Sequence, residues 1–140
     1  MPDDVRTVKT AHGDLTLEQI AELLPGTGEL MQSVGTTWWK CAYAARGGNF
    51  ELAAYFARRT RGLLRKLAIA RPKYAEDVVE FEAALIAPIL VACERSDLPA
   101  FERAFTATVD RANELHVKWG KSFIRWVLPP GPPEDLELTP

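Results

Sequence analysis

Apolar residues recur at gaps of three and four along the segment from Leu98 to Trp119. An α-helix turns once in about 3.6 residues, so this spacing puts them on one face of a helix that packs into a core. Ser96 or Asp97 is suited to cap the first turn, and Gly120 is suited to end the helix. We therefore predict a long helix with an apolar stripe formed by Leu98, Phe101, Phe105, Thr108, Ala112, Leu115 and Trp119.

Three other segments show helical spacing. The first is predicted to run from about Gly28 to Arg46, where a Gly-Gly pair ends it. The second is predicted from Phe50 to about Ala70, with an asparagine in front of it as the cap. The third begins at Pro72, a residue that the first turn of a helix tolerates. A shorter helix is predicted to start at Thr16.

The third helix is apolar nearly all round from Ala83 to Cys93, so it is either central or half of an interface. Pro88 is expected to kink it. On the first long helix, Trp39 and Tyr43 lie four residues apart, on a face away from its inner stripe. These features predict a homodimer. In a monomer, the tail or the leader would have to cover the two aromatic side chains.

Helices of this length with short connections imply antiparallel neighbours. We therefore predict an all-α fold, an antiparallel up-down-up-down four-helix bundle, in a single domain of residues 1–140. A loose leader of residues 1–13 is expected before the short N-terminal helix, and an extended Pro-rich tail over residues 121–140. No strand is expected.

The composition is that of a soluble globular protein, with 47% hydrophobic residues, 26% charged residues and a net charge of -2. This balance predicts no binding to nucleic acid or to a membrane. No segment approaches the roughly 20 apolar residues of a membrane span, and the N-terminus does not resemble a secretory signal. A cytoplasmic protein is expected, with Cys41 and Cys93 as buried thiols on apolar helix faces.

The outer surface of the second helix is basic. One interpretation is a face that binds phosphate or nucleic acid. The other, which the acidic chain as a whole favours, is a solvated face paired with acidic residues of the third helix. The basic residues are Arg58, Arg59, Arg61, Arg65 and Lys66, and the acidic ones are Glu76, Asp77, Glu80 and Glu82.

The predicted topology brings four helix ends together and with them a histidine and a methionine. His116 and Met31 approach each other from opposite walls, and residues 123–126 are placed to fold back as a lid. The plain interpretation of His116 is a histidine at the edge of the core with one hydrogen bond. The plain interpretation of Met31 is a side chain that fills the core. The alternative is a ligand pocket lined by Met31, Trp38, Leu63, Tyr74, Ala112, Leu115, His116 and Trp119.

The segment Ala112-Asn113-Glu114-Leu115-His116 has the spacing of the Cys-x-x-Cys-His haem attachment motif. The histidine is kept, whereas Ala112 and Leu115 stand at the cysteine positions. The flanking segments 45–53, 97–105 and 123–126 also look familiar, and the similarity covers most of the chain from Leu30 to Pro129. The arrangement resembles the small four-helix-bundle cytochromes of the cytochrome c' and soluble b types. In such bundles a methionine near the start of the first long helix can be the second axial ligand, and Met31 stands there.

Because both thiols are missing, the resemblance implies haem b bound without a covalent link, with His116 and Met31 as the iron ligands. Alternatively the pocket holds another small planar apolar ligand, or only side chains. The sequence thus predicts a binding protein with a cytochrome-like pocket. The alternative is a haem-free dimeric interaction or structural module. No nucleophile–base pair or glycine-rich phosphate loop indicates an enzyme.

Overall fold

The protein is mostly helical in the computed structural model, which describes residues 5–140. Residues 1–4 of the loose leader predicted for residues 1–13 lie outside the described residues. No helix within the described range is both long enough and apolar enough to cross a membrane. The elements in chain order are β1 (Thr7–Thr10), β2 (Gly13–Thr16), α1 (Leu17–Leu23), α2 (Thr27–Arg46), α3 (Phe50–Ala70), a 3-10 turn (Pro72–Tyr74), α4 (Ala75–Phe81), a π-helical segment (Glu82–Ile86), α5 (Ala87–Glu94) and α6 (Leu98–Lys118).

The N-terminal segment forms an antiparallel hairpin, so the predictions of a loose leader and of no strand are wrong from residue 7 onward. β-branched threonines and a valine suit the extended backbone of β1. The Thr10 hydroxyl donates to the Gly13 carbonyl at 2.7 Å and closes the turn. Gly13 has a φ of 135°, a conformation open to glycine. Both strands are largely exposed, so the hydrophobic pattern contained no sign of them.

The long helices begin where their capping residues predict. The Asn49 side chain accepts from the Leu52 N–H at 3.1 Å, and Asp97 accepts from the Ala100 N–H at 3.0 Å. Thr16 and Gln19 cap α1 reciprocally. These bonds satisfy backbone donors that have no partner inside the helix. The predicted bounds of α3 are confirmed, and α2 begins one residue earlier than predicted.

The core lies between α2, α3, α5 and α6. α2 packs along α3, α3 against α5, α5 against α6, and α6 against α2. Trp38 stacks on Phe105 with ring centroids 5.3 Å apart, and Phe101 stacks on Phe105 at 5.8 Å. A second buried cluster, nearer the start of α2, consists of Leu30, Leu64, Leu67, Tyr74, Val78 and Ile86.

Both cysteines are buried and free, as predicted. The Cys41 thiol donates to the Ala53 carbonyl at 3.2 Å, in the contact between α2 and α3. Burial raises the pKa of the Cys93 thiol to about 11. Both side chains therefore pack as small core residues.

The predicted third helix is not one regular α-helix. The Ala87 N–H donates to the Glu82 carbonyl, five residues back, and Pro88 follows directly. Proline has no N–H to donate, and its ring collides with the carbonyl one turn earlier. A wider π turn is one way for a helix to absorb that collision. The π-helical segment lies directly before Pro88, at the place where the sequence predicts a kink.

The C-terminal residues cover the outer face of α2. The Trp39 Nε1–H donates to the Gly131 carbonyl at 2.9 Å, and the Tyr43 hydroxyl donates to the Pro129 carbonyl at 2.8 Å. These two aromatic side chains therefore pack under the tail of their own chain. They provide no argument for a second chain.

The basic surface of α3 is paired in part with acidic residues. Arg65 Nε donates to Glu82 Oε2 at 2.9 Å. This guanidinium holds the pKa of the Glu82 carboxyl below its usual range. The pairing agrees with the interpretation of this surface as a solvated face.

Candidate functional site

A cavity of about 450 Å³ lies between α2, α3, α4 and α6. It is bounded by the first part of α2, the second half of α3, α4 and the second half of α6. The predicted topology brings these four helix ends together. Residues 121–126, which we call the roof, complete it with Lys121, Ile124 and Trp126. Gln32 and Ile124 are exposed and also line the cavity, so it reaches the surface beside them.

All the predicted pocket residues except Leu63 line this cavity, namely Met31, Trp38, Tyr74, Ala112, Leu115, His116 and Trp119. Leu63 is half-buried and packs against the second core cluster, and Leu64 lines the cavity in its place. Successive residues of a helix are rotated by about 100°, so these neighbouring leucines face different partners. Thr60, Leu64 and Leu67 follow each other at helical spacing along the cavity wall.

The hydroxyl and indole groups on the deep wall are bonded to other protein groups. Trp38 Nε1–H donates to Thr108 Oγ1 at 3.0 Å, and that hydroxyl donates to the Phe105 carbonyl at 2.6 Å. The Thr60 hydroxyl lies 2.7 Å from the Thr37 hydroxyl. Within residues 5–140, no buried side-chain nitrogen or oxygen lacks a partner. A ligand therefore meets a wall that is apolar in effect.

His116 contacts the roof through one ring nitrogen. Its Nδ1 lies 3.1 Å from the Ile124 carbonyl oxygen. A carbonyl only accepts, so Nδ1 must carry the hydrogen, and in the neutral ring Nε2 then has a free lone pair. This is the tautomer that a metal-binding imidazole needs, with the second nitrogen held by a backbone carbonyl.

Met31 lies in the first part of α2 and lines the same cavity. It is half-buried and packs against the second core cluster. Its thioether is a soft donor that haem iron accepts as an axial ligand. The two residues that the resemblance names as iron ligands, Met31 and His116, therefore line the same cavity.

Asp77 is the acidic side chain of the cavity wall. Its carboxylate accepts from Lys118 Nζ and from Trp119 Nε1, each at 2.7 Å. The hydrogen bond from Lys118 holds the pKa of Asp77 below its usual range, and the bond from Trp119 acts in the same direction. The pair joins the start of α4 to the end of α6 and fixes the orientation of the Trp119 ring.

Replacing Asp77 with asparagine should lower the free energy of unfolding at neutral pH, and the difference from wild type should shrink in acid. Because the folded carboxyl has a lowered pKa, its contribution is complete above the ordinary value of 3.8 and is lost as pH falls through the folded value. Urea unfolding of both proteins from neutral pH down to about pH 2 measures this. A difference that stays constant into acid would contradict the pairing.

The roof is folded back by the end of α6. Gly120 has a φ of 71°, and the Lys121 N–H donates to the His116 carbonyl at 2.7 Å. This is the Schellman arrangement in which a glycine ends a helix. Asn113 then holds Trp126 by both backbone groups, at 3.0 and 2.9 Å. Ile124 and Trp126 thus cover the cavity, whereas Phe123 of the predicted lid is 81% exposed.

Gly35→Ala should shift Trp126 within the roof. The added methyl would lie 3.0 Å from Trp126 Nε1, so the indole must give way by a few tenths of an ångström. Gly62→Ala is the matched control, because nothing lies within 4 Å of a methyl at that position of α3. The control should gain up to about 1 kcal/mol of stability from helix propensity, and Gly35→Ala should not.

The measurement is the indole N–H resonance of Trp126, assigned with a Trp126→Phe variant. It should shift strongly in Gly35→Ala and stay in place in Gly62→Ala. Equal stability gains in both variants, with an unmoved Trp126 signal, would show that the close approach does not constrain the roof.

The sequence-based list omitted several residues of the site. Asp77 stands three residues after Tyr74, so helical spacing alone places it on the same wall. Gly35 interrupts a long helix at a cost in helix propensity, but the sequence alone does not distinguish it from Gly62, which no other group approaches. The sequence gives no sign that Asn113 and Lys121 belong to the site, because their roles depend on the path of the chain after α6.

Comparison of the chain with protein-family models, with curated proteins and with solved structures gave no match.

Proposed function

We propose that this chain is an up-down-up-down four-helix bundle that binds haem b, a planar and largely apolar molecule, at one end without a covalent bond. The observation that carries the proposal is the cavity of about 450 Å³, with its apolar walls and the free Nε2 of His116. Small-molecule pockets commonly measure about 300–1,000 Å³. The closed circuit of contacts through α2, α3, α5 and α6 supports the bundle.

The residues present fit haem by their donor chemistry. His116 Nε2 and the Met31 thioether would ligate the iron, and the rings of Trp38, Tyr74 and Trp119 would contact the macrocycle. Bound haem would supply a redox-active iron. The apolar walls and the roof would exclude water from it, and the Ile124 carbonyl would hold the imidazole in orientation.

Titration of the purified protein with haemin tests the proposal. A Soret band that changes saturably, at one haem per chain, is the expected result. Acid-acetone should then extract all the pigment, because Ala112 and Leu115 offer no thiol for a covalent link. If haemin produces no saturable change, haem is not the ligand, and the proposal reduces to another planar apolar molecule in the same cavity.

The second candidate is a haem-free dimeric module, favoured by an exposed apolar strip on α4 and α5. Val79 is 68% exposed and Val91 is 44% exposed, with Ala83 and Ala87 exposed between them. A concentration-dependent dimer in sedimentation, abolished by Val79→Glu, would favour this function if haemin also fails to bind. A monomer at micromolar concentration would exclude it.

We also propose that the protein acts in the cytoplasm. Two buried and free thiols suit a reducing compartment. Fractionation of cells that produce the protein tests the location, and recovery from an extracytoplasmic fraction would contradict it.

A further inference from the structure

One carboxylate and one ammonium group belong to residues that line the cavity, Asp77 and Lys121. The two are not equivalent. The Asp77 side chain is only 11% exposed and has Lys118 Nζ at 2.7 Å, so its charge is balanced by a cation of the protein. None of the ion pairs found among residues 5–140 includes Lys121. Of these two groups, the one without an ion-pair partner among residues 5–140 is therefore the positively charged Lys121.

The position of Lys121 is set by its backbone. Its N–H donates to the His116 carbonyl at 2.7 Å, and the preceding Gly120 directs the chain back over the cavity. Lys121 is half-buried and lines the cavity. A cation placed at the edge of an apolar cavity interacts more strongly with an anion than one on an open surface does.

A second lysine lies at the same end of the site. Lys73 Nζ is 5.0 Å from the Tyr74 ring centroid and 5.7 Å from that of Trp119, and both rings line the cavity. Within the described part of the chain, Lys73 also belongs to no ion pair. One lysine thus belongs to the roof and the other to the turn before α4.

We propose that the ligand of the cavity is an anionic amphiphile: an apolar body with a carboxylate or similar acidic group at its edge, which Lys121 binds with support from Lys73. This inference rests on the proposed function, since it specifies the chemistry of a ligand in the same cavity. The apolar walls bury the body, whereas the acidic group stays at the edge, where an ammonium can donate to it. A neutral molecule of the same shape lacks that bond.

Two fluorescent probes that share an aromatic body test the charge alone. Anilinonaphthalene sulfonate carries an anion, and N-phenylnaphthylamine is its neutral counterpart. Both are titrated into the folded protein, with circular dichroism as a check on the fold. The anionic probe should bind about tenfold more tightly than the neutral one, the effect of one charge-assisted hydrogen bond.

Lys121→Gln should remove most of that preference and leave the affinity for the neutral probe unchanged, and Lys73→Gln should remove a smaller part. Lys66→Gln, at an exposed position of α3 outside the cavity, is the matched control and should change neither affinity. Equal binding of both probes by the wild type, or equal loss of both in Lys121→Gln, would overturn the inference and leave the pocket in place. Failure of both probes to bind would instead overturn the proposed ligand pocket.

Discussion

Haemin added to a His116→Ala variant should produce no Soret band of a ligated haem, and its affinity should fall by at least about a hundredfold. The reason is the geometry of the ring, whose Nδ1 is held by the Ile124 carbonyl so that Nε2 is left as the donor. Alanine removes the donor and one contact to the roof. Absorbance titration measures the loss, and circular dichroism should show an unchanged helical content.

The matched control is His12→Ala, since His12 is exposed in the turn of the N-terminal hairpin. It should bind haemin like the wild type. Met31→Leu should change the Soret spectrum more than it weakens binding, because burial of the macrocycle against apolar walls remains. A His116→Ala protein that still gives the wild-type spectrum would exclude His116 as the ligand.

Phe101→Ala should lower the free energy of unfolding by about 3–5 kcal/mol. Phe101 is fully buried and stacks on Phe105, which in turn stacks on Trp38. Truncation leaves a cavity in the contact between α6 and α2, because a close-packed core relaxes only in part. Urea unfolding followed by circular dichroism measures the change.

Phe123→Ala is the control for the same truncation at the surface. Phe123 is 81% exposed, so its loss should change the free energy of unfolding by no more than about 0.5 kcal/mol. The ratio of the two losses in the free energy of unfolding tests whether Phe101 packs in the core. Similar effects at Phe101 and Phe123 would show that α6 does not pack through Phe101.

The ends of the long helices could be predicted because their signals are local. Asn49 and Asp97 bond to N–H groups three residues ahead, so the bond needs only the neighbouring sequence. Gly120 ends α6 for a similarly local reason, its positive φ. Helical spacing also indicated most of the cavity wall, although it did not separate Leu63 from Leu64, since adjacent positions differ by about 100° around the axis.

The roof could be predicted only in outline, and the hairpin could not be predicted. Closure by Ile124 and Trp126 depends on Asn113, thirteen residues before Trp126, and on the absence of a side chain at Gly35. The hairpin consists of exposed residues whose order comes from backbone pairing and the Thr10 bond. Hydrophobic periodicity indicates which residues are buried, so it predicts neither the contacts of the roof nor the backbone pairing of the hairpin.

The tail that covers α2 also affects the order in which contacts form while the chain is being synthesised. Tyr43 and Trp39 obtain their hydrogen-bond acceptors from residues 86 and 92 positions later in the chain. Contacts that close loops of that length form late in folding, because the loop loses conformational entropy before the contact stabilises it. During synthesis, α2 and α3 therefore emerge with these two aromatic side chains uncovered. Until residues 129–131 leave the ribosome, Trp39 and Tyr43 lack the backbone acceptors that they bond to in the folded chain.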